Sequence, residues 1–298
     1  PVASAVLVCV SRMRWHRECR MLKQRIVTAL AMAGLFLAAV LFLPLLWLAF
    51  MLGVVVCLGG WEWARLAGWR SSLSRGVFVL TLGLLLAALF VYAELGLAPQ
   101  REQVQPVLGI ACLWWSFSLL WVKSYPASAV LWRSRVMRSL MGLLILASAW
   151  LAAVYLLAFP RGGLLLVVMV VIVAATDIGA YFSGTRFGRH KLAVHVSPAK
   201  TWEGFWGGVA CATLLAVALW SVLPARMAHI SLAAVIAVVV TTALASVVGD
   251  LTVSMVKRES GVKDSGSLLP GHGGLLDRLD SLCSAAPVFA LGLLLAGW

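Results

Sequence analysis

From Asp250 to Ser281 the chain reads D-L-T-V-S-M-V-K-R-E-S-G-V-K-D-S-G-S-L-L-P-G-H-G-G-L-L-D-R-L-D-S. On either side lie apolar runs, 230–249 and 282–298, each long enough to cross a membrane. The stretch itself carries Asp250, Asp264, Asp277 and Asp280 together with Lys257, Arg258, Lys263 and Arg278. Charged groups are costly beside lipid, so this density between two membrane-length segments points to chemistry.

Working outward, the rest of the chain is dominated by apolar runs. Hydrophobic residues make up 62% of 298 and charged residues only 12%, with a mean hydropathy of +1.00. Soluble domains carry about 25% charged residues. In lipid each backbone polar group needs a partner within its own segment, so the spans are expected to be helices, and the alternation of a membrane β-barrel is not seen. The fold class expected is an all-α polytopic membrane protein of about nine spans: 26–43, 45–60, 76–93, 107–122, 140–159, 164–182, 207–223, 230–249 and 282–298. Pro44 marks a break between the first two, and Trp61-Glu62-Trp63 sits where an interfacial aromatic belt belongs. Residues 1–20 lack an apolar span and are expected to be an extension with little structure of its own. Residues 21–160 would hold spans 1–5, and 161–298 would hold spans 6–9 and the chemistry.

A net charge of +13 raises nucleic acid as a partner, but the basic residues fall in short segments between spans. With the N-terminus inside, all but three of the 24 Lys and Arg residues (Arg101, Arg161 and Arg226) lie on the inner side. That asymmetry is the positive-inside bias, so a cytoplasmic N-terminus and a cytoplasmic 250–281 stretch are expected, with no nucleic-acid partner. The six cysteines are scattered, without C-x-x-C spacing, and read as small buried side chains.

The pattern Ser254-x-x-Lys257-Arg258, Lys263-Asp264, His272-Gly273-Gly274-x-x-Asp277-Arg278-x-Asp280 resembles the signature of the phosphatidate cytidylyltransferase (CDP-diacylglycerol synthase) family. Asp177-Ile178-Gly179-Ala180-Tyr181, Ser197-Pro198-Ala199-Lys200-Thr201-Trp202-Glu203-Gly204 and Trp61-Glu62-Trp63-Ala64 are similar to further segments of that family. The resemblance runs from Met21 to the end. It implies a Mg2+-dependent transfer from CTP to phosphatidic acid, giving CDP-diacylglycerol and pyrophosphate, with K+ as a second cation. It sets an integral location in a bacterial inner membrane, among membrane lipids, and leaves room for a homodimer.

The residues can be read on their own terms beside it. Nucleotidyl transfer needs positioning and neutralisation of phosphate charge, and Mg2+ takes one or two carboxylates plus phosphate oxygens. Asp277 and Asp280 are three apart and share a helix face, and Asp250 closes the site from the other side, so these three are the expected metal ligands. Helix caps or partners of Arg258 and Arg278 are the plainer reading. Lys257, Arg258 and Lys263 are expected to hold phosphates, and Asp264 either orients Lys263 or joins the metal shell.

Gly273 and Gly274, before a helix, let backbone N–H groups approach phosphate, with His272 and Arg278 beside them and Ser254 upstream. Asp177, Ser197, Lys200 and Thr201 are expected to complete the substrate pocket, although Asp177 could simply pair with Lys200 and Ser197 could start a helix. His190, His195 and His229 show no constellation. A transporter is the competing class, but it predicts repeats and charges at mid-membrane, and neither is present. Aspartates spaced as in CDP-alcohol transferases and a P-loop are likewise absent from the sequence.

Overall fold

The structure, a computed structural model, describes residues 34–96, 99–222, 230–266, 268 and 273–297. The extension at 1–20, the first half of the first predicted span, His229 and His272 lie outside the described residues. Residues 34–42 are helical, and the break at Pro44 falls where proline ends a helix. There follow α1 (Leu45–Leu66), α2 (Ser72–Tyr92), α3 (Arg101–Lys123), a single turn α4 (Ala129–Trp132), α5 (Arg135–Leu157) and α6 (Gly162–Phe187). A hairpin of β1 (Lys191–Ala193) and β2 (Ser197–Thr201) leads into α7 (Trp202–Ser221), α8 (Leu232–Glu259) and α9 (Leu276–Leu295).

All but α4 of these helices are apolar and span 20 to 28 residues, so eight candidate membrane spans are present among the described residues. At 1.5 Å per residue even the shortest is about 30 Å long, the thickness of a bilayer core. The protein is therefore a polytopic helical membrane protein. The antiparallel hairpin, pairing Lys191 with Thr201 and Ala193 with Ser197, departs from the all-α expectation. It lies between two spans, at a polar run where strands need not meet lipid.

Local sequence sets the helix starts. Ser71, Ser134, Thr201 and Ser231 each accept a hydrogen bond from the backbone N–H three residues on, capping α2, α5, α7 and α8. The polar stretch is more helical than the predicted spans suggest. Helix α8 runs ten residues beyond Gly249 and α9 begins six residues before Leu282, so only the segment between them is irregular.

Helix α5 is the central post: residues 145–152 are all buried, with α1, α2, α3, α6 and α9 packed against the helix. Trp150 anchors it by donating to the Ala49 carbonyl at 3.0 Å. The tightest pairing is α6 against α7, whose buried residues Gly204, Gly208, Ala212 and Ala216 recur every four positions. A Cβ on Gly208 would lie 2.8 Å from the Thr176 carbonyl, and one on Gly179 would lie 2.8 Å from the Gly207 carbonyl. Small residues permit this approach where apolar burial gives no drive between helices, as Gly179-Ala180 and Gly207-Gly208 predict. Large apolar side chains such as Leu41, Phe42, Phe50, Leu113 and Leu214 face outward, as lipid contact requires. An open, mostly apolar groove of about 620 Å³ lies between α1 and α2, with Trp150 of α5 at its wall.

Side-chain contacts gather one set of helix ends on the same face. Arg138, near the start of α5, donates to the Leu66 carbonyl at the end of α1 and to Ser260 after α8. Tyr125 after α3 donates to Glu259 of α8, and Arg258 of α8 donates to the Val196 carbonyl of the hairpin. At the opposite face Arg101 of α3 donates to the Leu294 carbonyl of α9.

Candidate active site

Helix α8 carries Asp250, Ser254 and Lys257 at i, i+4 and i+7, one face of a helix. Ser254 Oγ donates to Asp250 Oδ1 at 3.2 Å. Lys257, 8% exposed, reaches Asp277 Oδ1 of α9 at 2.9 Å. Asp277 also accepts from Ser265 N (3.0 Å to Oδ2) and Gly274 N (2.9 Å). An acid in the first turn that reaches back to an unsatisfied N–H both caps the helix and complements its dipole. Here it fixes the lysine as well.

One turn along α9, Asp280 is also 8% exposed and accepts from Ser281 N at 2.8 Å. It lies within electrostatic reach of Asp250, Lys257 and Lys200. Lys200, from β2, forms an ion pair with Asp250 Oδ2 and faces Asp177 of α6. Four elements thus supply charges of alternating sign: Asp177, Lys200, Asp250 with Asp280, Lys257 and Asp277. With four carboxylates to two lysines the array is formally anionic, so it favours added positive charge while offering two lysines to an incoming polyanion.

The other predicted residues that the structure describes lie on β2, at the end of α8, in the polar loop and in the first turn of α9. Arg258 is exposed and its Nε donates to the Val196 carbonyl at 3.1 Å, tying the hairpin to α8. Lys263 and Asp264 are exposed at the rim, and the Asp264 carbonyl accepts from Arg65. Gly273 takes a positive φ of 80°, which glycine adopts freely. Arg278 is exposed on α9. Ser197 begins β2 and does not start a helix; α7 starts at Trp202, and Thr201 Oγ1 is occupied in capping it, accepting from Gly204 N at 3.1 Å.

No group of three or more His, Cys, Asp or Glu side chains among the described residues is placed to hold a metal ion, and both oxygens of Asp277, one of the three expected ligands, are taken by Lys257 and two backbone amides. Two expectations change. His190 does have a partner, since its Nδ1 lies 2.6 Å from Glu203 Oε1 and its backbone N–H donates to the same carboxylate. Of the two tryptophans expected in an interfacial belt, Trp61 is 37% exposed but Trp63 is fully buried, and Glu62 between them is 3% exposed.

Glu62 is the residue that sequence reasoning missed. Its carboxylate accepts from Ser265 Oγ at 2.8 Å, Leu275 N at 3.1 Å and Leu276 N at 2.9 Å. The signal was present as a carboxylate inside an apolar span, flanked by two tryptophans.

Lysines and carboxylates interleaved at one end of an apolar helix bundle, with Lys257 and Asp280 buried among them, define an integral-membrane protein with a charged cluster at one end of its helices. The chain belongs to the cytidylyltransferase family, whose profile matches residues 23–296. It is 46% identical over 278 residues to the phosphatidate cytidylyltransferase of Pseudomonas aeruginosa, covering 93% of this chain and 99% of that protein. It is 40% identical over 282 residues to the phosphatidate cytidylyltransferase of Haemophilus influenzae, covering 91% and 98%. A shorter match, 41% over 134 residues, is to the protein of the same name from Mycobacterium leprae, with 45% of this chain and 42% of that one aligned.

Proposed function

We propose that this chain is a phosphatidate cytidylyltransferase, transferring the cytidylyl group of CTP to phosphatidic acid and releasing pyrophosphate. The observation that carries the reading is the convergence of Lys200, Asp250, Lys257, Asp277 and Asp280 from β2, α8 and α9 at one end of an otherwise apolar bundle. Family membership and near-full-length likeness to two proteins of that name support it.

A phosphate oxygen of phosphatidic acid attacks the α-phosphorus of CTP; that P–O bond forms as the bond to the bridging oxygen of the leaving pyrophosphate breaks. The attacking phosphate monoester is already largely ionised near neutral pH, so no general base is required. Lys257 and Lys200 lie where they can exchange carboxylate for phosphate partners and offset the charge of both substrates. Asp277 keeps Lys257 oriented from below through its own backbone bonds. Asp250 and Asp280 fit a hard divalent cation: two adjacent carboxylates, one of them buried, are a favourable pair only with positive charge between or beside them. Mg2+ held there would neutralise phosphate oxygens and polarise the α-phosphorus, and K+ is the second cation in this reading. Ser197, Arg258 and Lys263 would line the approach of the nucleotide.

The orientation follows from the basic end of the bundle, which by the positive-inside bias faces the cytoplasm of a bacterial inner membrane, where CTP is found. In that arrangement nine spans place the N-terminus inside, and residues 161–298 hold most of the catalytic groups. The deciding test is a lipid-transfer assay with CTP labelled at the α-phosphorus and phosphatidic acid in mixed micelles. Label should move to the lipid phase in proportion to added Mg2+ and stop when the metal is chelated. A purified, folded protein that transfers no label under any Mg2+ concentration would defeat the reading.

A further inference from the structure

We propose that Glu62 is a positioning residue for this site: a carboxylate from the first half of the chain that clasps both ends of the polar loop and so sets Asp277 and Lys257. The inference rests on the transferase reading above. Helix α9 starts at Leu276 with Leu275 as its N-cap residue, and leucine has no side-chain acceptor to offer the first N–H groups. Glu62 supplies that acceptor from another helix, taking Leu275 N and Leu276 N on its two oxygens. The oxygen that bonds Leu276 N also accepts from Ser265 Oγ, across the loop.

One turn further along α1, Arg65 donates to the carbonyls of Asp264 and Ser265. Ser265 is therefore gripped at its hydroxyl by Glu62, at its carbonyl by Arg65 and at its N–H by Asp277. The fit leaves no space, because a Cβ on Gly274 would lie 2.5 Å from Glu62 Oε2. Glu62 thus holds Ser265 N and Gly274 N at the separation that Asp277 bridges, and Asp277 in turn holds Lys257. Nothing in this arrangement puts Glu62 against the reacting phosphates, so it acts through Asp277.

The test uses the full-length purified protein and the variants Glu62→Gln, Ser265→Ala and the double variant. Glu62→Gln keeps the volume but puts an amide where donors converge. It should lower kcat about 10- to 100-fold, raise KM for CTP less than about threefold, and leave the detergent melting temperature within a few degrees. Those values follow from losing one charge-assisted acceptor at a site that needs sub-ångström placement. Ser265→Ala should lower kcat several-fold, and the double variant should be no slower than Glu62→Gln alone, as expected for two groups in one contact.

Wild-type kcat in Glu62→Gln, or losses that multiply in the double variant, would overturn the proposal. Where Glu62→Gln does not fold, Ser265→Ala decides, and unchanged kcat there overturns it. Hydrogen exchange gives a readout independent of turnover: the Leu275 and Leu276 amides should exchange faster in Glu62→Gln than in the parent. Equal exchange would overturn the clasp even if the protein transfers cytidylyl groups, and absent transfer by the parent would defeat only the functional reading.

Discussion

Asp277 and Asp280 sit three residues apart on α9 and look alike in the sequence, yet their surroundings assign them different work. Asp277 is saturated by a lysine and two amides, whereas Asp280 is buried beside a second carboxylate. Removing one member of a buried ion pair costs about 3–5 kcal/mol, because the other charge is left uncompensated. Asp277→Ala should therefore lose both turnover and stability, with a marked fall in melting temperature. Asp280→Asn removes a like-charge neighbour of Asp250, so melting temperature should hold or rise while turnover falls at least about 100-fold, since a carboxylate suited to the metal is lost. Thermal unfolding followed by tryptophan fluorescence, run beside the label-transfer assay, separates the two. Equal destabilisation by both would contradict the division of labour.

Among the elements, the α6–α7 seam makes the sharpest demand on residue size. Gly208→Leu should prevent these helices from closing and reduce the folded yield sharply, since backbone carbonyl oxygen on α6 cannot step aside as a side chain could. Gly109→Ala in α3 meets open space within 4 Å and should be neutral or slightly stabilising, as alanine favours helix by up to about 1 kcal/mol over glycine. Size-exclusion profiles of the two variants in detergent check the pair.

The seam was legible because glycines in apolar runs have few other uses. The spans were legible too, since apolar length speaks for itself. The hairpin was not: Lys191–Ala193 and Ser197–Thr201 are too short and too polar for an alternating pattern to show. Nor was the helical part of the polar stretch, because charged residues mask a 3.6-residue period that lipid-facing residues would have displayed.

At the scale of the molecule, the residues that resemble a known signature could be found in the sequence, but their partners could not. Lys200, Asp250 and Asp277 stood out as charges, while the pairing of Lys200 with Asp250 and Lys257 with Asp277 depends on how three distant segments meet. Glu62 stayed hidden for the same reason, lying more than 200 residues from the groups it binds. The proposed orientation is open to a direct check. In a cysteine-free background, Lys263→Cys should react with a membrane-impermeant maleimide only in inside-out vesicles, and Arg161→Cys only in right-side-out ones. The reverse pattern would turn the bundle over.

The grip of Glu62 on the start of α9 has a consequence for biogenesis. The ribosome delivers α1 to the membrane early, and it delivers the amides that satisfy that carboxylate almost at the end. Until then a nascent chain carries an anionic side chain without its designated donors. A premature stop anywhere upstream of Leu275 would make that condition permanent, because the Leu275 and Leu276 amides would never be made.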